Sequence, residues 1–409
     1  MSTRQYDLVV FGATGYTGKL TAEHITTNLP TDLKWAIAGR SASKLEAVAA
    51  ECKTLNPDRV QPAIETCNLN EAELGALARK TKVLITAVGP YGTYGEHAFK
   101  ACAENGTHYL DITGEVPFVR DMIKKYESTA KKNGCIMIPQ IGIDSAPPDL
   151  VTWTLVDMIR KKFSAPTGEV VVSVYDINSA PSGGTLNSVF SILDTYSLKE
   201  VAAAHAPGGI SPIPVPKGPG KPLLTKLLGF RSVSDLGILT DHFGAVADTP
   251  IVYRSWALLG GAANYGPNFQ FSEKLKARNY LTAIAIHFSL VIGTLLLAIP
   301  FLRTLARKFV YQPGEGPSKE QYKNDRVEYR GIAIPDTETP TPIRAYCRAK
   351  YEGSLYAFTG VSVAEAAISI LKDGHDLPGG IYTPACLGQK FIDRLEGAGF
   401  EFERKFYDN

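Results

Sequence analysis

The feature that most constrains the fold of this chain is a glycine-rich turn near the N-terminus. It lies between an apolar segment and a segment that is compatible with a helix. The apolar run Leu8–Phe11 predicts a buried strand, and the stretch from Lys19 to Leu29 is compatible with a helix. In a strand–turn–helix unit, glycines allow a tight turn and close backbone approach, and the helix N-terminus faces a pyrophosphate. A glycine triplet alone also marks plain loops, but this context predicts a dinucleotide-binding turn formed by Gly12, Ala13, Thr14, Gly15, Tyr16, Thr17 and Gly18.

The residues that follow the second predicted strand indicate whether the site binds NAD(H) or NADP(H). The run Trp35–Gly39 is followed by Arg40 and Ser41, where an NAD site would carry an acidic residue. A guanidinium suits a 2′-phosphate, and no carboxylate stands there to repel it. We therefore predict NADP(H) as the cofactor, with Arg40 and Ser41 among the residues that bind it. A solvated arginine at the end of a strand is the alternative interpretation of Arg40.

Strands and helices alternate through the first 150 residues, which predicts a parallel sheet. The predicted strands are 7–11, 34–38, 60–64, 83–88, 108–111 and 135–139, and the predicted helices are 16–29, 42–53, 71–80, 95–105 and 116–133. The dipeptides Asn105-Gly106 and Asn133-Gly134 are signals that end two of these helices. Residues 1–150 are thus expected to form a doubly wound Rossmann domain, with the cofactor across the carboxyl ends of its strands.

The pattern changes after Pro147-Pro148 and predicts an α+β second domain over 151–380 with a mixed or mostly antiparallel sheet. Residues 207–222, rich in proline and glycine, are expected to form a surface loop. A final helix over 384–398 would bring the segment 381–409 back to the first domain. The predicted strands of the second domain are 168–176, 251–258, 326–334 and 342–351, and its predicted helices are 182–204 and 356–372.

Composition and charge limit the classes of function. The 409 residues exceed one ordinary domain, and a net charge of +2 gives no electrostatic case for nucleic-acid binding. The six cysteines are scattered without metal-ligand spacing, so we expect no metal site and reduced thiols in a cytosol-facing protein. The N-terminus shows no basic and apolar leader, so no secretory signal is expected.

One segment, Leu281–Leu302, contains no charged residue and is long enough to cross about 30 Å of hydrocarbon. Basic residues flank it on both sides. Three interpretations stay open: a transmembrane span, a fully buried core helix, and a monotopic helix that dips into one leaflet with Pro300 bending its end. The return of the chain to one sheet favours the monotopic helix. His287, inside the segment, is interpreted as a tolerated polar side chain rather than a ligand. The basic flanking residues are Lys274, Lys276, Arg278, Arg303, Arg307 and Lys308.

Candidate catalytic residues follow the fourth, fifth and sixth predicted strands, because the nicotinamide ring lies near this edge in Rossmann domains. Val88, Gly89 and Pro90 are expected to approach the cofactor. Tyr91 and His97 follow them as candidate catalytic residues, although a packed aromatic or a capping group is the alternative for each.

Two carboxylate-bearing turns follow at the next strand ends. Asp144 and Glu115 are candidate general acids if burial raises their pKa values. Helix capping is the alternative for these acidic turns, with Asp111 and Asp149 preceding helical runs. Capping is the favoured interpretation of Asp149.

The combination of these motifs resembles the saccharopine dehydrogenase-like oxidoreductases, and within them the branch of trans-acting enoyl reductases. The resemblance implies an NAD(P)-binding Rossmann domain, a second domain with a mixed sheet, and a C-terminal helix that returns to the first domain. The motifs that carry it are Gly12–Gly18, Ala38–Ser41, Val88–Tyr91 with Tyr94-Gly95, Tyr109–Asp111 with Gly114-Glu115, Gly142–Pro147, Ser182–Thr185, Pro313–Pro317 and Thr383–Ala385.

The resemblance also implies activities and a location. Bacterial relatives reduce an enoyl double bond on polyketide-derived lipids in trans, and animal and fungal relatives are associated with membranes and lipid droplets. We therefore expect an NADP(H)-dependent reductase of an apolar acyl or enoyl group, free or carrier-bound, at a cytosol-facing membrane surface, with a homodimer as a candidate assembly.

Two other functions are kept as alternatives. One is a membrane-associated or lipid-droplet-associated binding protein that retains the cofactor fold without catalysis. The other is an amino-acid dehydrogenase of the saccharopine type. That reaction needs a basic pocket for an amino-dicarboxylate, and the sequence shows no arginine cluster in 151–260 that would form one.

Overall fold

The first sheet of this chain is built from the strand–helix units that the sequence predicts. A computed structural model describes residues 4–179, 183–218, 220, 222–309, 318, 320, 322, 324–339 and 341–408; Ser182 and the predicted motif 313–317 lie outside them. The first six strands are β1 (Tyr6–Phe11), β2 (Trp35–Gly39), β3 (Ala63–Thr66), β4 (Thr81–Thr86), β5 (His108–Asp111) and β6 (Ile136–Ile138). The helices among and after them are α1 (Tyr16–Asn28), α2 (Ala42–Leu55), α3 (Glu71–Lys80), α4 (Tyr91–Tyr94), α5 (Glu96–Asn105), α6 (Val116–Asn133) and α7 (Ala146–Phe163).

The six strands form a parallel sheet in the order β6-β5-β4-β1-β2-β3, which is a doubly wound arrangement. Val9 on β1 lies opposite Ala36 on β2 and Leu84 on β4, and all three side chains are fully buried. Helices α5 and α6 end at Gly106 and Gly134, whose φ angles of 62° and 68° lie in the left-handed region that glycine adopts readily. The predicted Rossmann sheet and these two helix ends are confirmed.

The second sheet has six strands from the middle of the chain. It is mixed, because β10 runs parallel to β7 while β11 pairs antiparallel with the other side of β7. Its strands are β7 (Thr167–Asn178), β8 (Arg231–Val233), β9 (Gly237–Thr240), β10 (Gln270–Lys276), β11 (Arg326–Pro335) and β12 (Arg344–Glu352). The accompanying helices are α8 (Gly183–Thr195), α9 (Leu198–His205), α10 (Leu223–Leu228), α11 (Ala245–Leu258), α12 (Gly261–Asn264), α13 (Tyr280–Ala298) and α14 (Pro300–Ala306), followed by a 3₁₀ turn Arg307–Phe309.

One predicted strand of this domain is wrong. Residues 251–258 belong to helix α11, whose side chains from Pro250 to Trp256 are buried. A short apolar run that is buried on several sides has the same sequence pattern in a strand and in a helix. Hydrophobic periodicity therefore does not distinguish the two structures here. The strands β8, β9 and β10 were not predicted, and the helix predicted over 182–204 is two helices, α8 and α9.

The C-terminal segment joins the two sheets. Helix α15 (Leu355–Lys372) packs against α1, where a Cβ at Gly360 would lie 2.8 Å from the backbone nitrogen of Thr21. Strand β13 (Gly380–Ile381) then pairs with β6, a 3₁₀ turn and α16 (Gly388–Gly397) follow, and β14 (Glu401–Tyr407) pairs with β12 of the second sheet. The predicted boundary at residue 380 therefore does not separate the two sheets, because β13 crosses it and joins the first sheet while β14 beyond it joins the second.

A buried carboxyl ties α7 to this C-terminal segment. The carboxylate of Asp149 accepts a hydrogen bond of 2.9 Å from the backbone N–H of Ala385, in the 3₁₀ turn Pro384–Leu387. It makes no capping hydrogen bond to its own helix, contrary to the predicted capping role. Burial is the main reason that the pKa of Asp149 rises from 3.8 to about 7.

We expect Asp149→Asn to flatten the pH dependence of stability. Because the folded-state pKa lies above the unfolded-state value, the folded protein binds one proton more between these values, and its stability falls as pH rises through them. The contribution is about 1.4 kcal/mol per pH unit between roughly pH 4 and pH 7, and asparagine imitates the protonated acid. Urea unfolding at several pH values measures it. Asp157→Asn, which alters a surface pair with Lys161 on the same helix, is the control and should keep the wild-type slope.

Candidate functional site

The glycine turn after β1 is held in a conformation that side chains would disrupt. Gly12 has φ of 88°, and its N–H donates a 2.9 Å hydrogen bond to the carbonyl of Ala38 on β2. A Cβ at Gly18 would lie only 2.2 Å from the carbonyl oxygen of Gly12. Gly15 closes the turn by donating to the same Gly12 oxygen at 2.9 Å. The turn therefore brings the first residues of α1 against the end of β1, as close packing of a dinucleotide-binding turn requires.

The N-terminus of α1 is free to bind an anion. No side chain makes a capping hydrogen bond at Gly15, and no acidic residue lies in the first turn. The uncapped N–H groups and the helix dipole together favour a phosphate at this position. Tyr16 packs edge-on against the ring of Tyr356 on α15, with ring centroids 5.3 Å apart. Ala13 is buried, whereas Thr14 and Thr17 are partly exposed beside the helix end.

The end of β2 carries the predicted binding residues for a 2′-phosphate. Arg40 is exposed, and it has no hydrogen bond or ion pair with any residue that the structure describes. Ser41 begins α2 without capping it, and its hydroxyl lies 3.3 Å from that of Ser43. A free guanidinium next to two hydroxyls fits a phosphate monoester. The residues present thus fit NADP at both its pyrophosphate and its 2′-phosphate.

The loop after β4 passes the same edge of the sheet and is fixed by a carboxylate. Val88, Gly89 and Pro90 are partly or fully exposed and connect β4 to α4, with a cis peptide between the last two. The two carboxylate oxygens of Glu115 accept hydrogen bonds from the backbone N–H groups of Tyr91 at 2.7 Å and Gly92 at 2.9 Å.

Glu115 therefore acts as an anchor of the loop that faces the nicotinamide end of the site. Burial raises the pKa of Glu115, although the hydrogen bonds from Gly92, Tyr91 and Ser188 oppose that rise. Ser188 lies on α8, so this helix covers the loop from the second domain. Because its carboxylate accepts hydrogen bonds from two backbone N–H groups, Glu115 positions the loop. This role differs from the general acid for which Glu115 was a candidate.

Two of the three predicted catalytic residues, Tyr91 and His97, lie in different surroundings, one buried and one exposed. The hydroxyl of Tyr91 donates a 2.8 Å hydrogen bond to the carbonyl of Thr86, and its buried ring packs on Phe118. Burial raises the pKa of Tyr91 well above its usual value of 10. His97 is exposed near the start of α5, where its charge acts on Glu71 and Glu96. The buried ring and the engaged hydroxyl favour the packed-aromatic interpretation of Tyr91, whereas the catalytic role of the exposed His97 stays a prediction.

Asp111 at the end of β5 organises the neighbouring turns. Its buried carboxylate accepts hydrogen bonds from the N–H groups of Thr113 and Gln140, both at 2.9 Å, and from the hydroxyl of Tyr109 at 2.7 Å. Burial, partly offset by these three donors, raises the pKa of Asp111 to about 6. Asp111 thus joins the ends of β5 and β6 and holds Gln140 at a φ of 66°.

The loop after β6 is where the predicted residue Asp144 meets the second domain. Its backbone is held from two sides: Tyr329 on β11 donates to the carbonyl of Ile143 at 3.2 Å, and the N–H of Ile143 donates to the hydroxyl of Thr359 on α15 at 3.2 Å. The side chain of Asp144 is exposed, yet burial raises its pKa. His242 and Glu273 of the second domain act on the charge of Asp144, and we call the space between this loop and those residues the cleft.

Two buried polar atoms beside Asp144 are consistent with a ligand in this cleft. The amide nitrogen of Gln140 and the hydroxyl of Ser145 are buried without a hydrogen-bond partner among the described residues. Buried polar groups are rarely left unpaired in folded proteins, so a bound molecule is an expected partner for them. Asp144, Gln140 and Ser145 all lie on the segment that follows β6, at the edge that faces a nicotinamide ring in Rossmann domains.

The second domain contributes residues to this cleft that the sequence analysis missed. His242 follows β9, and its Nδ1 lies 3.2 Å from a carboxylate oxygen of Glu273 on β10. Asp248 on α11 is buried and lies close enough to Glu273 for its charge to act on it. Because neither β9 nor β10 was predicted, no sequence signal placed His242 at the end of a strand. Among the described residues, no group of three or more His, Cys, Asp or Glu side chains has the geometry of a metal site.

A Rossmann sheet with an open helix N-terminus and a free arginine at the end of its second strand defines an NADP-binding oxidoreductase. Comparison with known proteins agrees. Residues 8–138 match the family described as the saccharopine dehydrogenase NADP-binding domain. A trans-acting enoyl reductase of Mycobacterium tuberculosis is 31% identical, with 97% of each chain covered. A saccharopine dehydrogenase-like oxidoreductase of Mus musculus is 30% identical over 98% of this chain and 97% of its own.

The chain belongs to the saccharopine dehydrogenase-like oxidoreductases, and its cofactor is NADP(H). Solved structures share the fold over its whole length. Saccharopine dehydrogenase (L-Glu forming) from Saccharomyces cerevisiae superposes with a TM-score of 0.54 at 12% identity, covering 98% of this chain and 100% of its own. Homospermidine synthase from Legionella pneumophila in complex with NAD gives a TM-score of 0.56 at 10% identity, covering 99% and 92%.

Proposed function

We propose that this protein uses NADPH to reduce the activated double bond of an enoyl group on an apolar acyl chain, at a cytosol-facing membrane or lipid-droplet surface. The relatives named enoyl reductases support the reaction class. The observation that carries the membrane part of the proposal is the exposed apolar surface of α13 and its neighbours. The acyl chain, free or bound to a carrier, would reach the cleft from that surface.

Helix α13 is apolar over most of its length, and nearly all of its residues are exposed or partly exposed. Its mean hydropathy is 2.2 over 18 residues, and only 6% of that window is buried. Helix α15 is also long and apolar enough to cross a membrane, but it is 72% buried and is therefore a core helix. The fully buried core helix that the sequence left open for 281–302 is therefore excluded. Large exposed apolar patches usually mark binding surfaces.

Neighbouring elements extend this surface, which we call the apolar face. On α14, which turns back after Pro300, Phe301 is 74% exposed, and on α10 Leu223 is 71% exposed. The ring of Phe230 after α10 packs on Tyr280 at the start of α13, with centroids 5.1 Å apart, which brings α10 beside α13. The exposed residues of the apolar face are Leu223, Leu224, Leu227, Tyr280, Leu281, Phe288, Val291, Ile292, Leu295, Leu296, Ile299, Phe301 and Leu305.

The path of the chain supports a helix that lies in one leaflet. The strand before α13 is β10 and the next strand is β11, and both pair with β7 in one sheet. A transmembrane span would place these two strands on opposite sides of a bilayer. An apolar helix that leaves and rejoins the same domain instead favours monotopic insertion.

Most of the flanking basic residues are paired within the protein. Lys274 binds Asp241, whose other oxygen lies 2.7 Å from Nδ1 of His287. Arg303 and Arg307 both bind Asp194 on α8. The ammonium group of Lys276 donates to a backbone carbonyl. Arg278 and Lys308, both exposed, are left as the flanking residues that would meet lipid headgroups.

The apolar face is also attached to the nicotinamide end of the site. Asp194, which binds Arg303 of α14, lies on α8. On the same helix, the hydroxyl of Ser191 lies 3.4 Å from that of Thr93, next to the loop that Glu115 anchors. One helix therefore contacts both the membrane-facing segment and the candidate catalytic loop, as a short path for an apolar substrate would require.

The cleft disfavours an amino-dicarboxylate substrate. The acidic groups of Asp144, Glu273 and Asp248 lie near one another at this point, and Asp144 is the exposed one of the three, whereas an amino-dicarboxylate needs cations. The reduced cofactor supplies a hydride when bound, and the chain's own residues orient the acceptor and deliver a proton. An enoyl thioester carries no negative charge next to its reacting carbons, so it is compatible with an acidic cleft.

Purified protein with NADPH and enoyl thioesters of short, medium and long chain length tests the proposal. We expect oxidation of NADPH together with loss of the conjugated absorbance, with longer chains preferred when vesicles are present. Saturated thioesters are the control and should give no oxidation. NADPH and vesicle binding without reduction of any chain length would refute the reductase and favour a lipid-binding protein that retains the cofactor fold.

A further inference from the structure

His242 stands at the point where the second domain faces the Rossmann domain. It follows β9, and its ring is partly exposed while its Nδ1 is 3.2 Å from Oε1 of Glu273, whose side chain is almost fully buried. A buried carboxylate beside one ring nitrogen fixes the orientation of an imidazole. The other ring nitrogen, Nε2, is then available to the space that His242 faces.

That space is the cleft which contains Asp144. The charge of His242 acts on Asp144 from the second domain, and Glu273 acts on it with the opposite sign. The hydrogen bond from Tyr329 to the carbonyl of Ile143 fixes the two domains at this point. His242 therefore lies across the cleft from the loop after β6, at the nicotinamide end of the sheet.

A second carboxyl stands behind Glu273. Asp248 and Glu273 are both buried, at 2% and 3% exposed, and they lie close enough for the charge of one to act on the other. Burial and the neighbouring Glu273 raise the pKa of Asp248 well above its usual value of 3.8. A Cβ at Gly244 would lie 2.8 Å from Cε1 of His242 and 3.3 Å from Oδ2 of Asp248, so these two side chains are close neighbours.

We propose that His242 is the proton donor of the reduction, with Glu273 as the residue that positions it. This rests on the proposed function. When bound, the reduced cofactor would supply a hydride to the β-carbon, and the electrons of the double bond would move to the α-carbon. The imidazolium of His242 then gives its proton to that carbon, leaving NADP⁺, a neutral imidazole and the saturated thioester. Solvent returns the proton to His242, and the titratable groups near it among the described residues include Glu273, Asp248 and Asp144.

Two measurements test this assignment, and the first needs no substrate. NMR titration of the histidines in the full chain compares the protein alone, with NADPH and with NADP⁺. The positive nicotinamide of NADP⁺ should lower the pKa of His242 relative to NADPH, and Glu273→Gln should lower it in all three states. His375 lies in the loop after α15 and is hydrogen-bonded to Ser369 of that helix. Its pKa should be the same in all three states and in Glu273→Gln. A His242 that responds neither to the cofactor charge nor to Glu273→Gln would overturn the proposal.

The second measurement uses an enoyl thioester that the wild type reduces. His242→Gln is expected to lower kcat about a hundredfold or more with unchanged NADPH affinity, and to remove the alkaline limb of the pH profile. Glu273→Gln should shift that limb to lower pH. His375→Gln is the matched control, and normal turnover by His242→Gln would overturn the proposal. If the wild type reduces no thioester, the proposed function fails, while the NADP⁺ titration still decides whether His242 stands at the nicotinamide.

Discussion

Replacing Gly18 with alanine is expected to abolish detectable NADP(H) binding. The new Cβ would lie 2.2 Å from the carbonyl oxygen of Gly12 and 2.9 Å from its carbonyl carbon. Both neighbours are backbone atoms, so the turn must open and move the N-terminus of α1. Loss of two hydrogen bonds to a phosphate would weaken binding about a hundredfold or more, and the overpacking would cost about 1–3 kcal/mol of stability. Fluorescence titration with NADPH measures the affinity, and thermal unfolding measures the stability.

Two companion variants separate the causes. Gly397→Ala is the same substitution at the end of α16, where a Cβ would meet no atom within 4 Å, and it should bind NADPH as the wild type does. Arg40→Ala should weaken NADPH binding about ten- to a hundredfold without changing NADH affinity, because only NADPH carries the 2′-phosphate. Wild-type NADPH affinity in Gly18→Ala would contradict the assignment of this turn to the pyrophosphate.

Replacing Leu281, Leu295 and Phe301 together with serine is expected to release the protein from membranes. These side chains are 81%, 63% and 74% exposed, so the folded protein loses little packing. Burying each in lipid is worth about 1.5–3 kcal/mol, and removal of all three should lower partitioning about a thousandfold or more. Flotation with vesicles of phosphatidylcholine, with and without anionic lipid, measures the effect.

The control uses three exposed apolar residues of the Rossmann domain. Leu55, Val60 and Ile64 are 48%, 46% and 39% exposed, and serine at all three should leave flotation unchanged. NADPH affinity should be normal in both triple variants, which shows that each is folded. A wild-type protein that stays with the soluble fraction, or an apolar-face variant that floats as the wild type does, would argue against the membrane part of the proposal.

The cofactor half of the site could be predicted because its determinants are local. Gly12, Gly15 and Gly18 lie within one turn, and Arg40 follows the next strand directly. Each of these residues lies at or just after the end of a strand, so its position in the fold follows from its position in the sequence. The boundaries of β1, α1, β2 and α3 accordingly agree with their predicted limits within one or two residues.

The substrate half could not be predicted, because it is assembled from distant segments. Asp144 comes from the first domain, His242 and Glu273 come from strands that were not predicted, and Thr359 comes from α15. The misassigned segment 251–258 shows the same limit, since a run buried on several sides carries no period that distinguishes helix from strand. Tyr91 looked available in the sequence, and only the hydrogen bond to Thr86 shows that its hydroxyl is occupied.

The sequence by itself determined the Rossmann domain, the preference for NADP(H) and the presence of one long apolar segment, because strand periodicity, glycine spacing and uncharged length are local properties. Only the tertiary structure decided that this segment is largely unburied, that four of its six flanking basic residues are engaged within the protein, and that His242 and Glu273 lie near Asp144. Exposure, ion pairing and a shared cleft depend on residues that are far apart in the chain. Their proximity is fixed by the pairing of β7 with β10 and β11 and by the packing of α15 on α1.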